Sequence, residues 1–282
     1  FWSVISPIAV RIVPDRYRSI ALSMVVTGSS IAMILGMPLG RVIGLHVGWR
    51  MTFFSIGVFS ALTFLYIAWR LPKVPSGGGF SPKKLPELLR HKGIMGLYLF
   101  TLLISSAIYV AYSYIEPFLK QVSLMPDDWV TTALMVFGGA GLLGSIAFSK
   151  YYNRNRKLFI TVNVAAMALC LLLLYPVSSG FLPVIMLLAV WGATATAYNV
   201  AMQSNMILVT TPESTPVAMS IFSGIFNLGI GSGAFFGGAI CSDLSISYIG
   251  LAGGVLALIG VVYWVARLGN RIEPKDTLDK YL

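Results

Sequence analysis

Eight apolar runs, each long enough to cross a bilayer, constrain this chain more than any other feature. They lie at about Ser19–Leu45, Met51–Trp69, Ile94–Ile115, Val130–Phe148, Leu158–Tyr175, Leu182–Val209, Ala218–Ile240 and Tyr248–Val265. Crossing roughly 30 Å of hydrocarbon takes about 20 helical residues. Inside lipid every backbone polar group must find its partner within the protein, so runs of this length are helices. The fold class is therefore all-α and polytopic. Phe1–Val13 is apolar but shorter, and reads as the last half of a ninth span. The chain is 57% hydrophobic and 11% charged, where soluble domains carry about a quarter charged residues. It opens on Phe1 with no initiator Met and no signal pattern, so it is expected to begin inside a longer protein.

Charge gives the orientation. Of the 20 Lys and Arg, 17 fall on alternate connections and the C-terminal tail, and only Arg41, Arg50 and Lys120 fall on the other side. Basic loops stay in the cytoplasm, so the C-terminus is expected there as well. The net charge of +10 flanks the spans and signals topology, with no nucleic-acid partner implied. The connection "LPKVPSGGGFSPKKLPELLRHKG" is a Pro/Gly/Ser linker closing on a basic stretch, expected to lie against anionic headgroups. Cys170 and Cys241 stand apart in apolar surroundings, so neither a disulfide framework nor a metal site is expected.

A weak repeat runs through the chain at an offset of 197 residues: Ala21 with Ala218, Ser23 with Ser220, Gly36 with Gly233, Gly40 with Gly237 and Gly57 with Gly254. Both copies follow a Pro-containing loop, "VPDRYRS" in one and "TTPESTP" in the other. Six spans separate equivalents, which makes the visible spans numbers four (partial) to twelve of a six-plus-six bundle. The expected organisation is residues 1–69 as the end of a first bundle, 70–93 as a cytoplasmic linker, 94–267 as a second bundle and 268–282 as a tail.

Two bundles and a basic central loop resemble the major facilitator superfamily of secondary transporters. "VPDRYRSIALSM" is similar to its loop after span four, and "LGMPLGRVIG" with "GWRMTF" resembles the span-five motif of its drug:proton antiporter branch. Met37 stands before Pro38 where the general motif has Gly, a departure that resembles the bacterial sugar-efflux subgroup, exporters of arabinose and isopropyl thiogalactoside. "FWS" and "YIEPFL" resemble that subgroup too. The resemblance implies the major facilitator fold, a small-molecule substrate (a sugar or related polyol), exchange for protons, no cofactor, a monomer and the bacterial inner membrane. A multidrug:proton antiporter of the same superfamily is the alternative. "GSIAFSKYYNRNRKL" resembles the superfamily's glycine–acid–basic loop motif, but Phe148 or Ser149 stands where the acid belongs.

In this architecture substrates bind near the midplane between the halves, so polar side chains within spans are the candidates. Tyr109, Tyr112 and Glu116 are spaced i, i+3, i+7 along span seven. A tyrosine ring stacks on the C–H face of a sugar and its hydroxyl bonds a sugar hydroxyl; the same rings also suit an interfacial belt. Glu116, before the helix-breaking Pro117, is the candidate for proton coupling, with a solvated cap at the outer end as its other reading. Asn199 and Gln203 (span ten) and Asn227 (span eleven) offer amides that donate and accept, suited to neutral polyols; interhelical bonding is the rival reading and the one chosen for Asn205. The glycines at 36, 40 and 44 form a flat stripe that lets a helix approach closely, and Pro38 bends it. Similar stripes at Gly138, Gly141, Gly144 and at Gly229, Gly233, Gly237 lead to an expectation that spans five, eight and eleven line the seam between halves. Arg41 is read as snorkelling to headgroups or touching an outer gate.

Other classes fit less well. His46 and His91 fall in loops on opposite sides, no His-Glu-x-x-His motif or paired carboxylates occur, and so an enzyme is not expected. A sensor would need an output domain, and an ion channel a filter loop or charged ring.

Overall fold

The computed structural model describes residues 39–71, 85–211 and 214–269, with isolated positions before them. The opening half-span, most of the Ser19–Leu45 run including Pro38, the 72–84 stretch of the linker and the tail beyond 269 lie outside the described residues. All regular structure among the described residues is helical, and seven helices are long and apolar enough to span a membrane. The chain divides into two units, residues 1–79 and 80–282.

In the first unit, residues 39–47 are helical and α1 is Trp49–Arg70. Gly48 turns the chain between them at φ +98°, a backbone conformation that favours glycine. Thr52 then donates its hydroxyl to the Gly40 carbonyl at 3.2 Å. A Cβ on Gly40 or Gly44 would meet only Thr52, at 3.6 Å in each case, and one on Gly36 would meet nothing within 4 Å. Arg41 is buried at 8% exposure, where a snorkelling side chain would be spread on the surface. Helix α1 buries no residue at all; apolar on every side, it suits a lipid surround.

The second unit comprises α2 Leu85–Arg90, α3 Lys92–Tyr112, α4 Ile115–Gln121, α5 Asp127–Tyr151, α6 Arg156–Leu173, α7 Phe181–Leu208, α8 Thr215–Asp243 and α9 Ile249–Tyr263. A 3₁₀ turn at Ile246–Tyr248 leads into α9, and a π turn at Trp264–Leu268 ends it. His91, expected in a loop, caps α3 by accepting the Ile94 N–H on Nδ1 at 3.3 Å. Pro117 explains why α3 stops and α4 begins: it has no N–H, and its ring crowds the carbonyl four residues back, on Ser113. The chain tightens there, Ser113 N–H reaching the Tyr109 carbonyl and Tyr114 N–H the Ala111 carbonyl.

Close backbone approaches hold the unit together. Helix α3 lies along α8, where Cβ atoms on Gly233 and Gly237 would meet the Ser106 and Val110 carbonyls at 2.6 and 2.5 Å. Hydroxyls stitch the same pair at three depths. Tyr98 donates to the Ala218 carbonyl at 3.0 Å, Ser106 and Ser232 share a 2.9 Å bond, and Tyr114 donates to the Ala234 carbonyl at 3.0 Å. Helices α5 and α7 interlock reciprocally: Gly144 faces the Ala193 carbonyl and Gly192 faces the Phe137 carbonyl, in each case with no room for a Cβ. The stripes on α5 and α8, expected at a seam between halves, are thus covered by α7 and α3 of their own unit. The flat face exists, but the nearest apolar helix takes it. Helix α9 closes the other side, with Trp264 stacked on Phe100 at 5.1 Å and its Nε1 donating to Thr161 at 3.2 Å.

Candidate functional site

Tyr109 and Tyr112 come together at the end of α3, their rings edge-to-face at 5.6 Å. Tyr112 also packs on Phe137 of α5 at 4.9 Å and lies edge-on to Trp191 of α7 at 6.1 Å. Tyr109 meets Phe226 of α8 edge-on at 6.3 Å. Four helices thus contribute to one aromatic wall beside the break in span seven. Phe137, Trp191 and Phe226 are the members that sequence spacing did not single out; each reads as an ordinary apolar span residue until the helices are assembled.

Asn199 and Gln203 share a face of α7, and Gln203 Nε2 donates to Asn199 Oδ1 at 2.6 Å. That bond uses one donor and one acceptor. The Asn199 amide nitrogen keeps its donor capacity and the Gln203 carbonyl its acceptor capacity. The pair sits eight residues beyond Trp191, about 12 Å along the helix, so it forms a second patch separate from the aromatic wall. Asn227 does not join either patch through its amide nitrogen, which donates to the Ser223 carbonyl one turn back at 2.8 Å.

Glu116, in the first turn of α4, belongs to an ion cluster that runs through Lys120 at the helix's end to α5. Lys120 Nζ lies 3.7 Å from Glu116 and 2.8 Å from Asp127, in the first turn of α5. The Glu116 side chain is 43% exposed. Asn205 is the interhelical link expected of it: at 1% exposure it accepts the Tyr152 hydroxyl on Oδ1 at 3.0 Å. No group of three or more His, Cys, Asp or Glu that could hold a metal occurs among the described residues.

The aromatic wall yields a test of its own. Tyr112→Ala leaves a hole between Phe137 and Trp191 and is expected to cost about 3–5 kcal/mol. Tyr112→Phe keeps the rings in contact and is expected to cost under about 1.5 kcal/mol. Thermal unfolding in detergent reads both.

Comparison with known proteins decides the family. Residues 1–208 match the sequence profile of the Major Facilitator Superfamily. The chain belongs to the major facilitator superfamily. A crystal structure of a bacterial homologue of the human lysosomal transporter Spinster, in an inward-facing and occupied conformation, has the same fold. It aligns over 98% of this chain and 74% of its own length, at 17% identity and a TM-score of 0.63. Family and apolar helices together make this a multi-pass membrane protein of the transporter class, not an enzyme.

Proposed function

We propose that this major facilitator protein exports a neutral sugar or related polyol across the bacterial inner membrane by alternating access, in exchange for protons. The observation that carries the reading is the bonded Asn199–Gln203 pair, an uncharged donor and acceptor on one face of a span. Amides exchange hydrogen bonds with hydroxyl groups at little net cost, whereas a lipophilic cation has no use for them. The Met37-Pro38 variant of the span-five motif supports the same substrate class by its resemblance to sugar exporters. The wall of Tyr109, Tyr112, Phe137, Trp191 and Phe226 favours a second reading, a multidrug:proton antiporter, because aromatic faces attract cations.

Counterflow in proteoliposomes separates the two. Arabinose or isopropyl thiogalactoside is expected to exchange and a lipophilic cation is not; exchange of the cation alone overturns the sugar reading. The proposed coupling residue is Glu116. Glu116→Gln is expected to abolish proton-driven movement while sparing exchange at equal pH, and unchanged coupling in that variant removes Glu116 from the mechanism.

A further inference from the structure

Helix α7 also carries a buried stripe of polar residues, which begins at Trp191 of the aromatic wall and runs on past the amide pair. Trp191, Tyr198 and Asn205 recur every seven residues and are 0%, 1% and 1% exposed. Seven residues bring a helix back to within about 20° of the same face, so all three look into the bundle. Trp191 packs on Phe137 of α5, Tyr198 lies edge-on to Phe100 of α3 at 5.8 Å, and Asn205 accepts from Tyr152. Of the polar atoms of this stripe, the Asn205 carbonyl accepts the Tyr152 hydroxyl, and the Tyr198 hydroxyl faces that of Thr101 on α3. The Tyr152–Asn205 bond therefore adds a polar tie at the inner end of α7 to the backbone contacts of Gly144 and Gly192 that lock it to α5.

The donor of that bond is unusually well held. Tyr152 lies just past α5, in the basic loop whose expected acid is missing, yet it is 2% exposed. Its ring packs on Phe148 at 4.5 Å and meets Phe159 edge-on at 5.9 Å, and the Arg156 guanidinium stands 5.6 Å from its centre. Burial raises its phenol pKa above the ordinary value, so the hydroxyl stays a donor at any physiological pH. In this loop a neutral hydroxyl tied to an amide stands in the neighbourhood where the superfamily motif places a charge.

Asn199 and Gln203 lie on the same rigid helix as Asn205, about 120° and 160° around the axis from it. The azimuth of Asn205 therefore sets theirs. We infer that Tyr152 is a positioning residue for the substrate-binding amides: its hydroxyl holds Asn205 into the bundle and so turns the Asn199–Gln203 pair outward. The inference rests on the proposed role of that pair in binding a sugar.

The test uses the full-length protein in proteoliposomes, with Cys170→Ala, Cys241→Ala and Gln203→Cys introduced as a reporter. Tyr152→Phe keeps the ring and removes only the hydroxyl, and is expected to slow maleimide labelling of the reporter about fivefold, the scale of one lost hydrogen bond. Asn205→Leu is expected to do the same, and the double variant no more than either alone, because all three lack one shared bond. With Gln203 restored, Tyr152→Phe is expected to raise the KM for isopropyl thiogalactoside by a similar factor at unchanged maximal rate. Unchanged labelling and KM in Tyr152→Phe, with only a lowered melting temperature, overturns the positioning role. A reporter that does not label in the parent, or an Asn199→Ala variant with unaltered KM, overturns the binding role of the amide pair instead.

Discussion

Gly144→Ala is expected to disrupt the second unit more than any other single methyl addition tested beside it. A Cβ at that position runs into the Ala193 carbonyl, with the carbonyl carbon at 2.9 Å and the Ala197 nitrogen at 3.1 Å. These are backbone atoms in the middle of α7, which cannot rotate away as a side-chain tip can. The two helices would have to part, and Gly192 makes parting costly because it holds the same pair together from the other side, against Phe137. Overpacking of this kind typically costs about 1–3 kcal/mol, and a rigid backbone contact belongs at or above the upper end. Gly231→Ala is the matched control: nothing lies within 4 Å of its added Cβ. It is expected to be neutral or to stabilise by up to about 1 kcal/mol, since alanine is the better helix former. Thermal unfolding of both variants in the same detergent checks the pair. Equal melting temperatures would mean that α5 and α7 are not packed as described.

Replacing the amide pair should remove transport while leaving the protein folded. Gln203 is exposed and Asn199 half-buried, and their only mutual bond is local to one helix, so their loss leaves no hole. Asn199→Leu with Gln203→Leu removes the donor and the acceptor together, so no amide remains to meet a hydroxyl. A site that hydrogen-bonds its substrate and loses two such bonds is expected to lose about 30-fold or more in kcat/KM, at roughly 1 kcal/mol per bond. The melting temperature is expected to stay within a few degrees of the parent. Full isopropyl thiogalactoside exchange in the double variant would transfer the binding role to the aromatic wall.

The spans were legible because a bilayer converts apolar length directly into helix, and the break before α4 was legible because Pro117 dictates it. What the glycine stripes do was only half legible. Spacing of three on α5 and of four on α8 reveals that a flat face exists, but not which neighbour fills it, and that choice depends on the three-dimensional order of helices. The Tyr109–Tyr112 and Asn199–Gln203 pairs could be found because each is local to one helix. Trp191, Phe137 and Phe226 could not, since nothing in an apolar run distinguishes a wall residue from a lipid-facing one. Tyr152 was hidden for a different reason. Its loop announces itself by its cations, while its bond to Asn205 spans 53 residues and leaves no periodic trace.

The stitching of α3 to α8 also has a consequence in time. Tyr98 and Tyr114 each wait for a carbonyl 120 residues further along the chain. At a synthesis rate of about 5–20 residues per second, that is roughly 6–24 s between the emergence of a donor and that of its acceptor. During that interval α3 and the bend after it hold two phenols and a serine that lack their final partners. Helix α8 arrives after α3 and finds its groove already lined with donors, so the unit can close only once α8 has emerged.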